Sequence, residues 1–132
     1  MVNKSAAIVI QDRKVLYLRK KNFLFFILPG GKIESGETEE QALEREMMEE
    51  VSARIKVIGH LGVIESKGFN KSLDELEPIR LSLYHVELLD EVKLSNEIID
   101  QEYLTYKNIH HALLSPVGIR TLEFLHQKGL ID

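Results

Sequence analysis

The chain has 132 residues, 44% hydrophobic and 29% charged, with a formal net charge of −4. That fits one soluble globular domain with a real core, and it lacks the basic excess of a duplex nucleic-acid binder. With no cysteine, disulfides, thiolate zinc sites and cysteine nucleophiles are excluded. No basic segment leads into a long apolar run, and the most apolar stretch, residues 23–28, is too short to span a bilayer. No signal peptide and no membrane partner are expected, and a cytoplasmic location is the default.

Residues 5–11 (SAAIVIQ) read as a buried strand and residues 14–20 (KVLYLRK) as a second, with Asp12-Arg13 as the tight turn between them. Residues 23–28 make a third short apolar segment, stopped by Pro29-Gly30-Gly31. A helix is expected from Thr38 to about Ser52. Thr38 and Gln41 form a capping-box pattern, Glu39 and Glu40 suit the positive end of the dipole, and Leu43, Met47 and Val51 give a core stripe. Residues 54–64 and 79–89 read as strands, the polar residues 66–78 as a long loop, and residues 102–106 as a short strand. Ser115-Pro116 starts a last helix that runs to about Lys128, with Gly129 as its stop. No repeat or linker divides the chain, so residues 1–132 are read as a single domain. The order of strands, helix, strands, helix suits an α/β sandwich in which helices flank a mixed sheet.

The chemistry concentrates in LPGGKIESGETEEQALEREMMEEVSA, residues 28–53. On a helix, Glu46, Glu49 and Glu50 stand at i, i+3 and i+4, where like charges cost a few tenths of a kcal/mol per pair. A hard divalent cation reverses the sign of that interaction, so the spacing reads as a metal site. The glycines before it let a loop bring backbone groups close to a ligand or ion. Glu37 and Arg45 are placed to tie that loop to the helix. Cations on such carboxylates bridge diphosphate oxygens and activate water. The alternative is a solvated acidic helix in a Glu-rich chain.

In register, Gly31, Glu37, Arg45, Glu46, Met47, Glu49 and Glu50 fall on Gly-x5-Glu-x7-Arg-Glu-U-x-Glu-Glu-x-Gly-U, where U is a bulky aliphatic. This stretch resembles the signature of the Nudix hydrolases, the MutT-like family. Two positions depart from it: Ser52 replaces the usual Gly, and Ala53 is small for the last aliphatic slot. The resemblance implies a single Nudix-type α/β/α sandwich with a mixed sheet. It also implies hydrolysis of a phosphoanhydride bond in a nucleoside diphosphate linked to X, supported by Mg²⁺ or by Mn²⁺ in its place. Glu46, Glu49 and Glu50 would hold the metal, with the Gly30 carbonyl as a further ligand. Glu37 and Arg45 would orient them. The general base is divided between Glu46 and a later carboxylate. Glu97 is the first choice for that carboxylate and for an added metal ligand, ahead of Asp100 and Glu102; otherwise Glu97 is a solvated loop acid.

Among weaker signals, Arg19, Lys20 and Lys21 lie near the glycine loop, and Arg19 is the favoured contact to substrate phosphates. Gly31 is placed against the substrate. Phe26 is a substrate-side aromatic or, more simply, core. Phe69 and Tyr84 read as packing, and the five histidines show no metal-ligand spacing. The proline and tyrosine that mark ADP-ribose and dinucleoside polyphosphate subgroups are missing around residues 67–71. That leaves a nucleoside triphosphate, a damaged one included, or another small nucleotide-like derivative. The rival reading is a non-catalytic nucleotide-sensing module on the same fold. A homodimer agrees with the family, although the sequence marks no interface.

Overall fold

Residues 1–70 and 75–132 are described by the computed structural model. In chain order they form β1 (Val2–Ile8), β2 (Ile10–Gln11), β3 (Lys14–Lys20), β4 (Phe26–Ile27), β5 (Gly30–Lys32), α1 (Glu39–Val51), β6 (Ile55–Asn70), β7 (Glu75–Leu88) and β8 (Ile98–Leu104). A one-turn 3-10 helix, Tyr106–Asn108, and α2 (Pro116–Gln127) follow. One four-stranded sheet has the order β5-β1-β7-β6 and is mixed, because β1 runs parallel to β7 and antiparallel to β5. In the second, β3 pairs antiparallel with β2, β4 and β8.

Alternation along β1 and β3 builds two apolar layers. Ala6, Ile8, Val15 and Tyr17 face α2, packing with Leu122 and Leu125. Ala7, Val9, Leu16 and Leu18 face α1, packing with Leu43, Met47 and Val51. A strand covered on both sides reads as a continuous apolar run, as SAAIVI does. The result is the expected α/β/α sandwich, with the strands divided between two sheets. The Asp12-Arg13 turn takes φ of 51° and 62°, the mirror-image turn that suits a tight hairpin. From it Arg13 reaches the other end of the chain, with Nε 2.6 Å from Asp132 Oδ1 and Nη1 donating to the Gly129 carbonyl.

Three expectations need correction. Residues 66–70 and 75–78 are not loop but the outer part of the β6–β7 hairpin, paired as far as Asn70 with Glu75; residues 71–74 of that expected loop lie outside the described residues. The polarity misled because β6 is an edge strand, where charged side chains face solvent. Glu65 lies opposite Arg80 there, and Gly68 is buried. Within residues 23–28 only Phe26 and Ile27 form strand, and the glycine stop continues instead as β5 on β1. The short strand begins at Ile98, because Leu16 to Lys20 offer a ladder that starts there, and Thr105 ends it by capping the 3-10 turn.

α1 forms as its caps require. Gln41 N donates to Thr38 Oγ1 at 3.1 Å, and Thr38 N donates to Gln41 Oε1 at 2.9 Å. At its other end Ser52, which takes the family's glycine position, is left-handed with φ 54° and ψ 34°. A side chain there costs on the order of 1 kcal/mol. Ser52 is exposed, so Ser52→Gly loses little packing. It is expected to raise stability by about 0.5–1 kcal/mol, read as a higher urea midpoint at unchanged slope.

Candidate active site

The acidic face of α1 turns toward β3 and β5. Its three carboxylates differ sharply in setting: the side chain of Glu49 is 59% exposed, that of Glu46 15% and that of Glu50 3%. Glu50 is held from two sides, accepting from the Gly30 amide at 2.9 Å through Oε1 and meeting Lys20 Nζ at 3.1 Å through Oε2. Burial pushes the Glu50 carboxyl above its usual range, against the opposing pull of Lys20 and the Gly30 amide. Burial alone would depress Lys20. The carboxylates of Glu50, Glu46 and Glu97 outweigh it and lift Lys20 above the ordinary lysine value.

Gly30 makes this approach feasible. Its φ is 134°, and a Cβ would lie 2.1 Å from the Ser5 carbonyl oxygen; no side chain fits where β5 closes on β1. At Gly31 a Cβ would meet the Glu46 carboxylate at 2.7 Å. The second glycine therefore leaves the space that Glu46 occupies.

Arg45 organises the outer half. It grips Glu37 with two bonds, Nε to Oε2 at 2.8 Å and Nη2 to Oε1 at 3.0 Å. Nη2 also donates to the Lys32 carbonyl, and Nη1 to Glu46 at 2.9 Å and Glu49 at 3.5 Å. The paired bonds from Arg45 and the Glu34 amide hold Glu37 below the usual carboxylate range. The loop between β5 and α1 is thereby fastened to the helix, as the Glu37 and Arg45 positions led one to expect.

A cavity of about 410 Å³ opens beside these groups. Glu46, Gly30, Gly31 and three lysines, Lys4, Lys20 and Lys32, line part of it; Phe26, Leu28, Ile79 and Leu81 give it an apolar wall. Lys4 is held below the usual lysine range by burial and by repulsion from Lys20 and Lys32. Phe26 is both core and wall. The rim carries Phe69, which meets Phe23 and Phe25 edge-on at 5.5 Å between centroids. Of the basic strand end, Lys20 lines the cavity, whereas the Arg19 guanidinium donates to the Phe23 carbonyl at 3.4 Å. Glu97 is exposed, its carbonyl accepting from the Lys21 amide. Asp100 is exposed, and Glu102 stands opposite Tyr17 with His111 at 4.0 Å.

Sequence reasoning passed over Lys4 and undervalued Lys20. The usable signal for Lys20 was parity: it stands two and four residues after Leu18 and Leu16, on the strand face that meets α1.

Among the described residues no three acidic or histidine side chains already form a metal cage; the carboxylates lean instead on Lys20 and Arg45. The donor set nonetheless fits a hard divalent ion. It is all oxygen, Gly31 leaves room for Glu46, and Glu50 Oε2 is buried without a hydrogen bond of good geometry.

The family model described as NUDIX domain matches residues 1–125. The chain belongs to the Nudix hydrolase family. Members generally use divalent metal ions, usually Mg²⁺. An ADP-ribose pyrophosphatase of Methanocaldococcus jannaschii is 45% identical over 62 residues, which are 45% of this chain and 37% of that protein. The match thus spans little more than a third of the relative's length. Two solved structures share the fold at a TM-score of 0.75 each. The E. coli ORF135 protein is 23% identical, with 96% of this chain and 89% of that one covered. The MutT protein from Methanosarcina mazei Go1 is 19% identical, with 96% and 94% covered. Among the described residues no helix is long and apolar enough to cross a membrane.

Lys20→Met would leave Glu50 buried without its cation, at a cost of about 3–5 kcal/mol. The variant is expected to lose that much stability in the absence of metal. Mg²⁺ or Mn²⁺ should then raise its melting temperature more than that of the unchanged protein. Urea and thermal unfolding with and without metal measure both effects; unchanged metal-free stability would remove Lys20 as the counter-ion of Glu50.

Proposed function

We propose that this Nudix protein is a pyrophosphohydrolase that cuts the diphosphate linkage of a nucleoside diphosphate joined to X, with Mg²⁺, or Mn²⁺ in its place, as cofactor. The observation that carries the reading is the composition of one cavity wall. Glu46 stands there beside Lys4, Lys20 and Lys32, next to an apolar compartment. A ligand with an anionic half and a ring half matches that division.

Glu46, Glu49 and Glu50 would hold the metal, with the Gly30 carbonyl and Glu97 as further ligands. Bound there, it would supply charge neutralisation on phosphate oxygens and a more acidic water. The chain's own groups account for the rest. Lys20 and Lys32 hold the diphosphate oxygens, and Lys4 adds positive charge. Arg45 keeps Glu46 and Glu49 aimed while its paired bonds to Glu37 fix the loop. Water attacks one phosphorus as the bridging P–O bond breaks. Glu46 or Glu97 takes the water proton, and the departing phosphate carries the electron pair. Gly31, on the cavity wall, keeps Glu46 at the substrate side by leaving its carboxylate room, Phe26 backs the ring compartment, and Arg19 supports the loop carrying Phe23 and Phe25.

The test is phosphate and pyrophosphate release from nucleoside triphosphates, oxidised forms included, ADP-ribose, nucleotide sugars and dinucleoside polyphosphates, with Mg²⁺ and then Mn²⁺. Glu49→Gln is expected to lower kcat at least 100-fold. Because Glu49 is largely exposed, its melting temperature should stay close to that of the unchanged protein. Metal-independent turnover, or normal turnover in Glu49→Gln, would overturn the reading.

A further inference from the structure

Of the three lysines in the cavity, Lys4 has no task in the hydrolytic scheme beyond its charge. It stands on β1 between two neighbouring strands, with Lys32 opposite it on β5 and Leu81 opposite it on β7. Like charges directly opposite each other weaken a sheet, so folding alone does not favour the Lys4–Lys32 pair. Lys20 reaches the same cavity from the other sheet and brings a third ammonium to it.

The three differ in what holds them. Lys20 is paired with the buried carboxylate of Glu50, and Lys32 is exposed. Lys4 is half-buried, with Ala6, Ile79 and Leu81 lining the same cavity, and among the described residues it forms no ion pair. Burial, and then repulsion from Lys20 and Lys32, hold its ammonium below the usual range against the weaker pull of Glu77 and Glu46. A lysine desolvated beside other cations presents a nucleophilic amine. Nucleophile and phosphate-holding cations therefore share one cavity.

We propose that Lys4 is a covalent modification site for phosphorylated aldehydes, which condense with its Nζ while Lys20 and Lys32 hold the phosphate. The uncharged amine attacks the carbonyl carbon, an N–C bond forms, and the carbonyl π pair moves to oxygen. The two amine hydrogens then leave with that oxygen as water, and the nitrogen lone pair completes the C=N bond. Amine and aldehyde give imine and water, with no oxidant or reductant consumed. The adduct occupies the substrate's cavity, so aldehyde and substrate exclude each other. The inference takes the two phosphate-holding lysines from the hydrolase reading; it needs neither the metal nor an attacked diphosphate.

The probe is pyridoxal 5′-phosphate, with pyridoxal as the phosphate-free control, trapped by borohydride and located by peptide mass. The expected result is a first label on Lys4, formed about tenfold faster than with pyridoxal because two lysines hold the phosphate. Excess inorganic pyrophosphate should suppress it. Lys4→Arg, which keeps the charge, should lose it; the mapping on the unchanged protein stands whether or not that variant folds. A first label on Lys20, on Lys32 or outside the cavity would overturn the inference. Equal rates for the two aldehydes, no protection by pyrophosphate, or no label at all would do the same. Hydrolysis by a chain whose Lys4 resists the probe would sink this inference alone. Labelling of Lys4 in a chain that hydrolyses nothing would leave it standing and overturn the hydrolase reading instead.

Discussion

The hydrogen bond from the Gly30 amide to the buried carboxylate of Glu50 is the contact on which the site's construction depends. It joins an edge strand of the mixed sheet to the last turn of α1. Both ends of it are demanding. β5 must approach β1 so closely that no side chain fits at Gly30, and Glu50 must leave water. Desolvating a carboxylate is costly unless hydrogen bonds and an opposite charge compensate it. Lys20 supplies the charge from the other sheet, so a single carboxylate ties α1 to both sheets at once.

The electrostatic pattern follows from that arrangement. Several carboxylates crowd one face of α1 and the loop before it, and two cations divide them between themselves. Arg45, forked and planar, takes Glu37, Glu46 and Glu49 at the rim; Lys20, a point charge on a flexible stem, takes Glu50 in the interior. The division suits the chemistry of the two side chains. A guanidinium that makes paired bonds is hard to displace and fixes geometry. An ammonium with one partner has a low barrier to moving a short distance toward a neighbouring anion, and the cavity it lines lies beside it.

Much of this was legible in the residues. The capping box, the Leu43, Met47 and Val51 stripe and the spacing of Glu37, Arg45, Glu46, Glu49 and Glu50 are local patterns, and the helix and the Arg45 network follow them. The parts that were not legible depend on contacts between distant segments. Gly30 and Gly31 signal a break in regular structure when read alone, and only the neighbouring β1 makes them a strand. The outer hairpin looked like loop because an edge strand exposes polar side chains, with the packing of Phe69 on Phe23 and Phe25 hidden from any local window. Lys20 was obscured by Arg19 and Lys21 beside it, although strand parity separates the three. Ser115 announced a helix start correctly, but that its side chain makes no capping hydrogen bond is a matter of rotamer and surroundings.

The pairing of remote segments also shapes how the chain reaches this state. β1 needs β7, β3 needs β8, and Arg13 in the first hairpin meets Asp132 across 119 positions. Contacts of such long range must close large loops before they return any stabilisation, which slows folding relative to a helical bundle of the same size. As the polypeptide leaves the ribosome, the first hairpin and α1 emerge with their partner strands still unmade. Their apolar faces then wait, uncovered, for β7 and β8. The early β1–β3 segment, apolar on both sides and free of interrupting charge through SAAIVI, is where a nascent or heat-stressed population would begin to aggregate.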